Sequence, residues 1–296
     1  MPYNYHIVTD DKLVMSGPIL TLPMNSSLMN QPIGVLDSGV GGLSVLKHIH
    51  TLLPHESLLY VADSKHAPYG NKTPEQIQAR CFEITEFLVA HQAKAIVVAC
   101  NTATAAAIDV LRAKYTTPDF FIPIIGMEPA VKPAAEASKN GIIGVLATVG
   151  TLKSAQFAAL LESYGRNVKV VTQACVGLVE CIERGELETE TTLALLEQYC
   201  QPLLNEGADT IVLGCTHYPF VRPLIEKIVG SQVALIDTGA AVANQLKHKL
   251  LEFNLLRDSI SRAALPKISL LTNSESKNAH QIMLSLWGKP VDMSNY

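Results

Sequence analysis

IGVLDSGVGGLS, residues 33–44, returns 110 positions later as IGVLATVGTLKS, residues 143–154. Each copy runs Ile-Gly-Val-Leu into small residues, a glycine and then a helix-like segment. A second pair follows in the same order: IVVACNT (96–102) is echoed 115 positions on by IVLGCTH (211–217). Resemblance among buried strands in general would explain the Val and Ile runs. It does not explain polar residues repeated at the same strand end in two ordered pairs. A period this long points to two related units, because solenoid repeats are far shorter.

The surrounding pattern sets the fold class. PIGVLDSG (32–39), SLLYVAD (57–63) and AKAIVVAC (93–100) read as strands. GGLSVLKHIHTLL (41–53), residues 74–93 and NTATAAAIDVLRAKY (101–115) read as helices, with Thr73 as cap and Pro74 in the first turn of the second. Short, continuously apolar strands alternating with helices indicate parallel sheets in an α/β fold. The expectation is two similar domains, each a mainly parallel sheet flanked by helices. They would be related by a pseudo-twofold duplication, with the active site between them.

Composition narrows the function classes. The 296 residues are 48% hydrophobic and 17% charged, with a net charge of −4 and no run of like charges. That balance speaks against a dedicated nucleic-acid or membrane-surface protein. No apolar stretch reaches the roughly 20 residues of a membrane span. Residues 1–32 carry Asp10 and Asp11 where a secretory signal needs positive charge, and Pro18 and Pro23 interrupt their apolar positions. They read as a loosely ordered extension of a cytoplasmic protein. Six cysteines (81, 100, 175, 181, 200, 215) form no CxxC pair. Reduced thiols are expected, not a disulfide framework or a zinc site.

In open α/β sheets the ligand sits outside the carboxyl ends of the strands. That rule gathers Asp37, Ser38, Cys100, Asn101, Thr102, Thr148, Cys215, Thr216 and His217 at one edge of each unit. A cysteine that opens a helix feels the helix's partial positive charge, so its thiol pKa is expected to fall. With a second thiol across the pocket, one thiolate can take a proton from carbon while the other thiol returns one to the opposite face. The product is the mirror image of the substrate. Cys81, Cys181 and Cys200 lie in helix-like segments and read as ordinary core cysteines.

Asp37 is open to two readings, a turn residue or a carboxylate beside the pocket. His217 is placed to polarise Cys215 or to shuttle its proton. HAPYGNKT (66–73) is either an ordinary turn or a loop whose Tyr69 and Gly70 bind a carboxylate through backbone N–H groups. DSGVGG lacks the G-x-G-x-x-G spacing and any Walker lysine, so it is a weak nucleotide signal.

The motifs IGVLDSGVGGLSVL, ADSKHAPYGNKT, VVACNTATA, GVLATVGT and VLGCTHYP, in this order from about residue 33 to about residue 243, resemble those of the bacterial glutamate racemases. The resemblance implies a cofactor-independent enzyme (no PLP, no metal) interconverting L- and D-glutamate for peptidoglycan synthesis, with Cys100 and Cys215 as the acid/base pair. Asp37 and His217 would be their polar partners. Ser38, Tyr69, Gly70, Asn101, Thr102, Thr148 and Thr216 match substrate-binding positions, and Asp63 matches a supporting aspartate. A supporting glutamate is expected some thirty residues before the second cysteine. In CVGLVECIERGE both Glu180 and Glu183 qualify, and the offset from Gly185 favours Glu183.

The domains implied are 1–32 as an extension, 33–126 with about 236–296 as the first domain, and 127–235 as the second. A homodimer is expected, and the extension has the length seen in relatives regulated by a peptidoglycan precursor. Aspartate racemase is the nearest alternative, with His217 favouring glutamate. A non-catalytic small-ligand-binding protein is the other, and it would have no need of two matched thiols.

Overall fold

The computed structural model describes residues 26–118, 120–257 and 265–296. The β-branched runs form strands β1 (Ile33–Asp37), β2 (Leu58–Ala62), β3 (Ala95–Val98), β4 (Ile124–Ile125), β5 (Ile142–Ala147), β6 (Lys169–Ala174), β7 (Thr210–Gly214), β8 (Ala234–Ile236), β9 (Ile268–Thr272) and β10 (Asp292–Asn295). They make two sheets, ordered β10-β9-β2-β1-β3-β4 and β6-β5-β7-β8. Every pairing between these strands is parallel.

The duplication is visible in the order itself. In the first sheet β1 lies between β2 and β3, with β4 beyond β3. In the second, β5 lies between β6 and β7, with β8 beyond β7. The repeated Ile-Gly-Val-Leu segments are therefore the two central strands, and the cysteine-ended runs are their equivalent neighbours. Strands β1, β2, β3 and β7 are buried along their whole length, with helices on both faces. This explains why they read as unbroken apolar runs. The edge strand β6, KVVTQA, is half-buried and carries no such signal.

Packing of helices fills both faces of each sheet. Val242, Leu246 and Leu250 of helix Gly239–Glu252 join Val45, Leu46 and Ile49 of helix Leu43–Leu52 in one core over the first sheet. The expected helix after Thr73 spans Pro74–Ala90, and Thr73 and Gln76 form a reciprocal capping box at its start. The C-terminal tail joins the first sheet: β9 pairs with β2, and Trp287 is buried in the same core.

Residues 1–25 of the expected loose extension lie outside the described residues. The part next to the fold is anchored, which differs from the expectation. Ser26–Met29 form a helical turn, and the Met29 carbonyl accepts a hydrogen bond from the buried Lys94 ammonium, which also pairs with Glu56. A buried ammonium needs such partners, so the segment is held where Lys94 needs it.

Candidate active site

β1 delivers Asp37 to the carboxyl edge of the first sheet, where it is fully buried. Its Oδ2 accepts the N–H of Gly42 at 2.8 Å and of Gly39 at 3.3 Å, while Oδ1 has no partner among the described residues. Burial pushes the Asp37 carboxyl up to about 6, against the pull of His217 and the Gly42 N–H. The glycines of DSGVGG turn out to serve close approach by the second sheet. A Cβ on Gly39 would overlap Glu183 Oε1, and one on Gly41 would overlap His217 Nδ1. This loop admits protein side chains where the weak nucleotide reading had placed a phosphate.

β3 ends at Cys100, which caps helix Asn101–Tyr115 by accepting the Ala103 N–H at 3.4 Å. Its thiol donates to Ser38 Oγ at 3.6 Å. The expectation of a lowered thiol pKa does not hold for Cys100. Burial, then the charge of Asp37, push it well above the ordinary value, and the Ala103 N–H and Ser38 only partly offset them. Helix-end polarisation is worth at most a few kcal/mol and loses to desolvation here. Both amide atoms of the buried Asn101 are unpartnered among the described residues. Buried polar groups normally find partners, so Asn101 and Asp37 Oδ1 mark a place shaped for a polar ligand.

The second sheet presents its own thiol. β7 ends at Gly214, and Cys215 Sγ lies 3.6 Å from His217 Nδ1. His217 Nε2 lies 2.6 Å from Glu183 Oε1, and that oxygen also accepts the Val40 N–H at 2.8 Å. Glu183 ends the short helix Leu178–Glu183, and it is Glu183, not Glu180, that meets His217. Burial alone would lower the His217 imidazole. Its hydrogen bonds to Cys215 and Glu183, with their charges, outweigh burial and hold it well above the usual histidine range. The imidazolium then donates from both nitrogens, to Glu183 and to the Cys215 sulfur.

The two lobes are joined across the cleft by hydroxyls. Thr102 Oγ1 lies 2.9 Å from Thr148 Oγ1 and 3.3 Å from Thr151 Oγ1, and Ser44 Oγ donates to the Thr216 carbonyl at 2.8 Å. Gly70 packs against Thr148 and Gly150. The Tyr69 ring is buried in the first-sheet core and its hydroxyl donates to Asp63, so any substrate contact at Tyr69 runs through its backbone. Asp63 is a hub at the end of β2. Arg80 Nε and Nη2 lie 2.9 and 3.0 Å from it, and His66 and Asn273 also bind it. Burial would raise the Asp63 carboxyl, but Arg80, Tyr69 and His66 hold it below the usual carboxylate range.

Thus Asp37, Ser38, Cys100, Asn101, Thr102, Thr148, Cys215, Thr216, His217 and Glu183 converge on the facing edges of the two sheets. Gly70 borders the group and Tyr69 and Asp63 support it from behind. Cys81, Cys181 and Cys200 are buried in helices. Cys175, one residue past the β6 edge strand, is buried near Cys215 with its thiol on the Gln173 carbonyl. Sequence reasoning missed Ser44, Thr151 and Tyr60. Only Thr151 left a trace, three residues after Thr148 at capping spacing. Among the described residues, no group of three or more His, Cys, Asp and Glu is placed to hold a metal ion.

Chemically, the site offers two sulfurs from opposite lobes, each with its own polar partner, and unpartnered polar atoms on Asp37 and Asn101 beside Cys100. A family model described as Asp/Glu/Hydantoin racemase matches residues 33–246. The chain is 59% identical to a glutamate racemase of Ectopseudomonas mendocina over 238 residues, covering 79% of this chain and 89% of that relative. The fold matches the crystal structure of a Bacillus anthracis glutamate racemase with a TM-score of 0.80 and 34% identity, covering 90% of this chain and 98% of that one. It also matches an Escherichia coli glutamate racemase crystallised with L-glutamate and the activator UDP-MurNAc-ala. There the TM-score is 0.77 and the identity 29%, over 90% of this chain and 97% of that one.

Proposed function

The chain belongs to the Asp/Glu/Hydantoin racemase family, and from that membership we propose that it interconverts L- and D-glutamate through two opposed cysteines, without a cofactor. The observation that carries this reading is the pair of thiols at equivalent strand ends of a duplicated fold, Cys100 beside Ser38 and Asp37, Cys215 beside His217. One thiolate removes the α-proton, and the bonding pair left on Cα is delocalised into the α-carboxylate. The opposite thiol then gives its proton to the other face. The reverse reaction exchanges the roles, which suits two lobes of similar build.

The surrounding groups supply what the step needs. Asp37, held at about 6, can exchange a proton with its neighbours near neutral pH. Its unpartnered Oδ1 suits the substrate ammonium. The Asn101 amide and the hydroxyls of Ser38, Thr102, Thr148 and Thr216, with backbone N–H groups near Tyr69 and Gly70, suit its carboxylates. Asp63 braces that loop. Glu183 orients His217.

The product D-glutamate would serve peptidoglycan synthesis in the cytoplasm, a setting in keeping with six unpaired cysteines. We take residues 33–126 with 236–296 as one domain, 127–235 as the other, and the active form as a homodimer. The E. coli relative's bound activator motivates the further proposal that a UDP-linked muropeptide precursor stimulates this chain. Equal turnover with and without that precursor would remove it. Substrate choice is tested by following optical rotation with L-glutamate and L-aspartate in parallel. Glutamate should lose its rotation, whereas racemisation of aspartate alone would overturn the assignment.

A further inference from the structure

The Gly39–Val40 peptide unit is gripped at both ends. The Tyr60 hydroxyl, fully buried on β2, donates to the Gly39 carbonyl at 2.6 Å. The N–H of the same unit, on Val40, donates to Glu183 Oε1 at 2.8 Å. A peptide unit is planar, so its C=O and N–H turn together and holding one end aims the other. From Glu183 Oε1 the chain of contacts continues 2.6 Å to His217 Nε2, and from His217 Nδ1 3.6 Å to the Cys215 sulfur. Hydrogen bonds thus run unbroken from β2 of the first sheet to the thiol of the second.

We propose that Tyr60, acting through the Gly39–Val40 peptide unit, is a positioning residue that holds Glu183 on His217 and so sets the reactivity of Cys215. This deepens the two-cysteine reading and rests on it. The unit needs such a lock, because Gly39 has no Cβ to restrain its side of the plane where Glu183 approaches. Without the phenol, the Gly39 carbonyl is left buried and unpaired, a state costly enough to favour rotation of the plane. Val40 N–H then leaves Glu183, whose side chain is partly exposed and free to swing outward.

The neighbourhood of Cys215 confines the effect. His217 and Glu183 face it from its own lobe, with Cys175 and Tyr218 behind. Cys100 faces it across the cleft, while Asp37 lies near His217 and Glu183, and Tyr60 near Glu183. Burial, with the charges of Asp37, Glu183 and Cys100, holds the Tyr60 phenol well above its ordinary value, so it remains a neutral donor. Tyr60→Phe therefore removes a hydrogen bond and no charge. Cys100, bonded to Ser38 and Ala103, stands outside the chain and is equally buried, which makes it the internal control.

The test alkylates the intact chain with iodoacetamide between pH 6 and 9 and quantifies Cys100 and Cys215 separately by peptide mass spectrometry. In Tyr60→Phe the Cys215 profile should move to higher pH, slowing its alkylation near neutrality about three- to tenfold, with the Cys100 profile moving far less. Glu183→Gln should move Cys215 the same way, and the double variant no further than either alone. An unchanged Cys215 profile in either single variant overturns the proposal. So does an equal change at both thiols, which would mean general loosening. The readout needs no turnover: absent racemisation by the unaltered chain would sink the proposed function and leave this result standing.

Discussion

Glu183 Oε1 lies 2.6 Å from His217 Nε2 and at the same time accepts the Val40 N–H from the other lobe. One oxygen thus fixes the imidazole behind Cys215 and ties the β1 loop to the second sheet. Chemistry and lobe closure share a single acceptor.

The glycines at that junction should be intolerant of even one methyl. Gly39→Ala would drive Cβ into Glu183 Oε1, and Gly41→Ala into His217 Nδ1. Displacing the dyad by about 1 Å should lower kcat on the order of 100-fold. Melting temperature should shift little in Gly39→Ala, because Glu183 can yield toward solvent, and should fall in Gly41→Ala, because His217 and Thr216 are buried. Steady-state kinetics beside thermal melts check this, and near-normal kcat in both variants would contradict it.

The two classes of cysteine should separate cleanly. Cys100→Ser and Cys215→Ser should each cost roughly 10² to 10⁴ in kcat, the usual worth of a positioned acid or base. Cys81→Ser and Cys200→Ser place a hydroxyl in apolar core and should cost stability, about 1–3 kcal/mol, with turnover nearly intact. Cys181→Ser should likewise spare turnover. Denaturant melts and kinetics on the five proteins decide it.

Asp37 should be a stability liability that catalysis retains. Its carboxyl is raised from 3.8 to about 6 on folding, so the folded state holds its proton more tightly than the unfolded one. Stability is therefore lost as pH rises from about 4 through 6 and remains reduced above, by at most roughly 3 kcal/mol. Asp37→Asn removes the titration while keeping an oxygen for the Gly42 N–H. Its melting temperature should exceed the parent's at pH 7.5, with the gap closing below pH 4 and activity lost. A lower melting temperature at pH 7.5 would contradict the argument.

The threonine bridge should act on binding. Thr102→Val removes the hydroxyl shared with Thr148 and Thr151 across the cleft. Loss of about 1–1.5 kcal/mol corresponds to a KM raised about tenfold, with kcat changed less. An unaltered KM would remove Thr102 from the substrate's surroundings.

What was legible in the sequence follows from burial. β1, β3 and β7 are covered on both faces, so their apolar runs and the polar residues at their ends stood out, and with them Cys100, Cys215 and Asp37. β6 and β8 are partly exposed edge strands and left no comparable mark. Ser44 and Tyr60 were invisible, because their roles depend on a carbonyl 172 residues away in one case and 21 in the other. The expected lowering of the Cys100 thiol failed for a similar reason: desolvation is a property of the closed site, and no local motif reports it.

The central claim, two bases on opposite faces, is tested most directly by isotope transfer. L-glutamate is racemised in D₂O and the first D-glutamate formed is isolated and read by NMR at the α-position. Two opposed thiols that exchange with solvent predict deuterium in essentially all of that product, while the remaining L-glutamate still carries protium. D-glutamate that retains its original α-proton would mean one group serving both faces and would contradict the account.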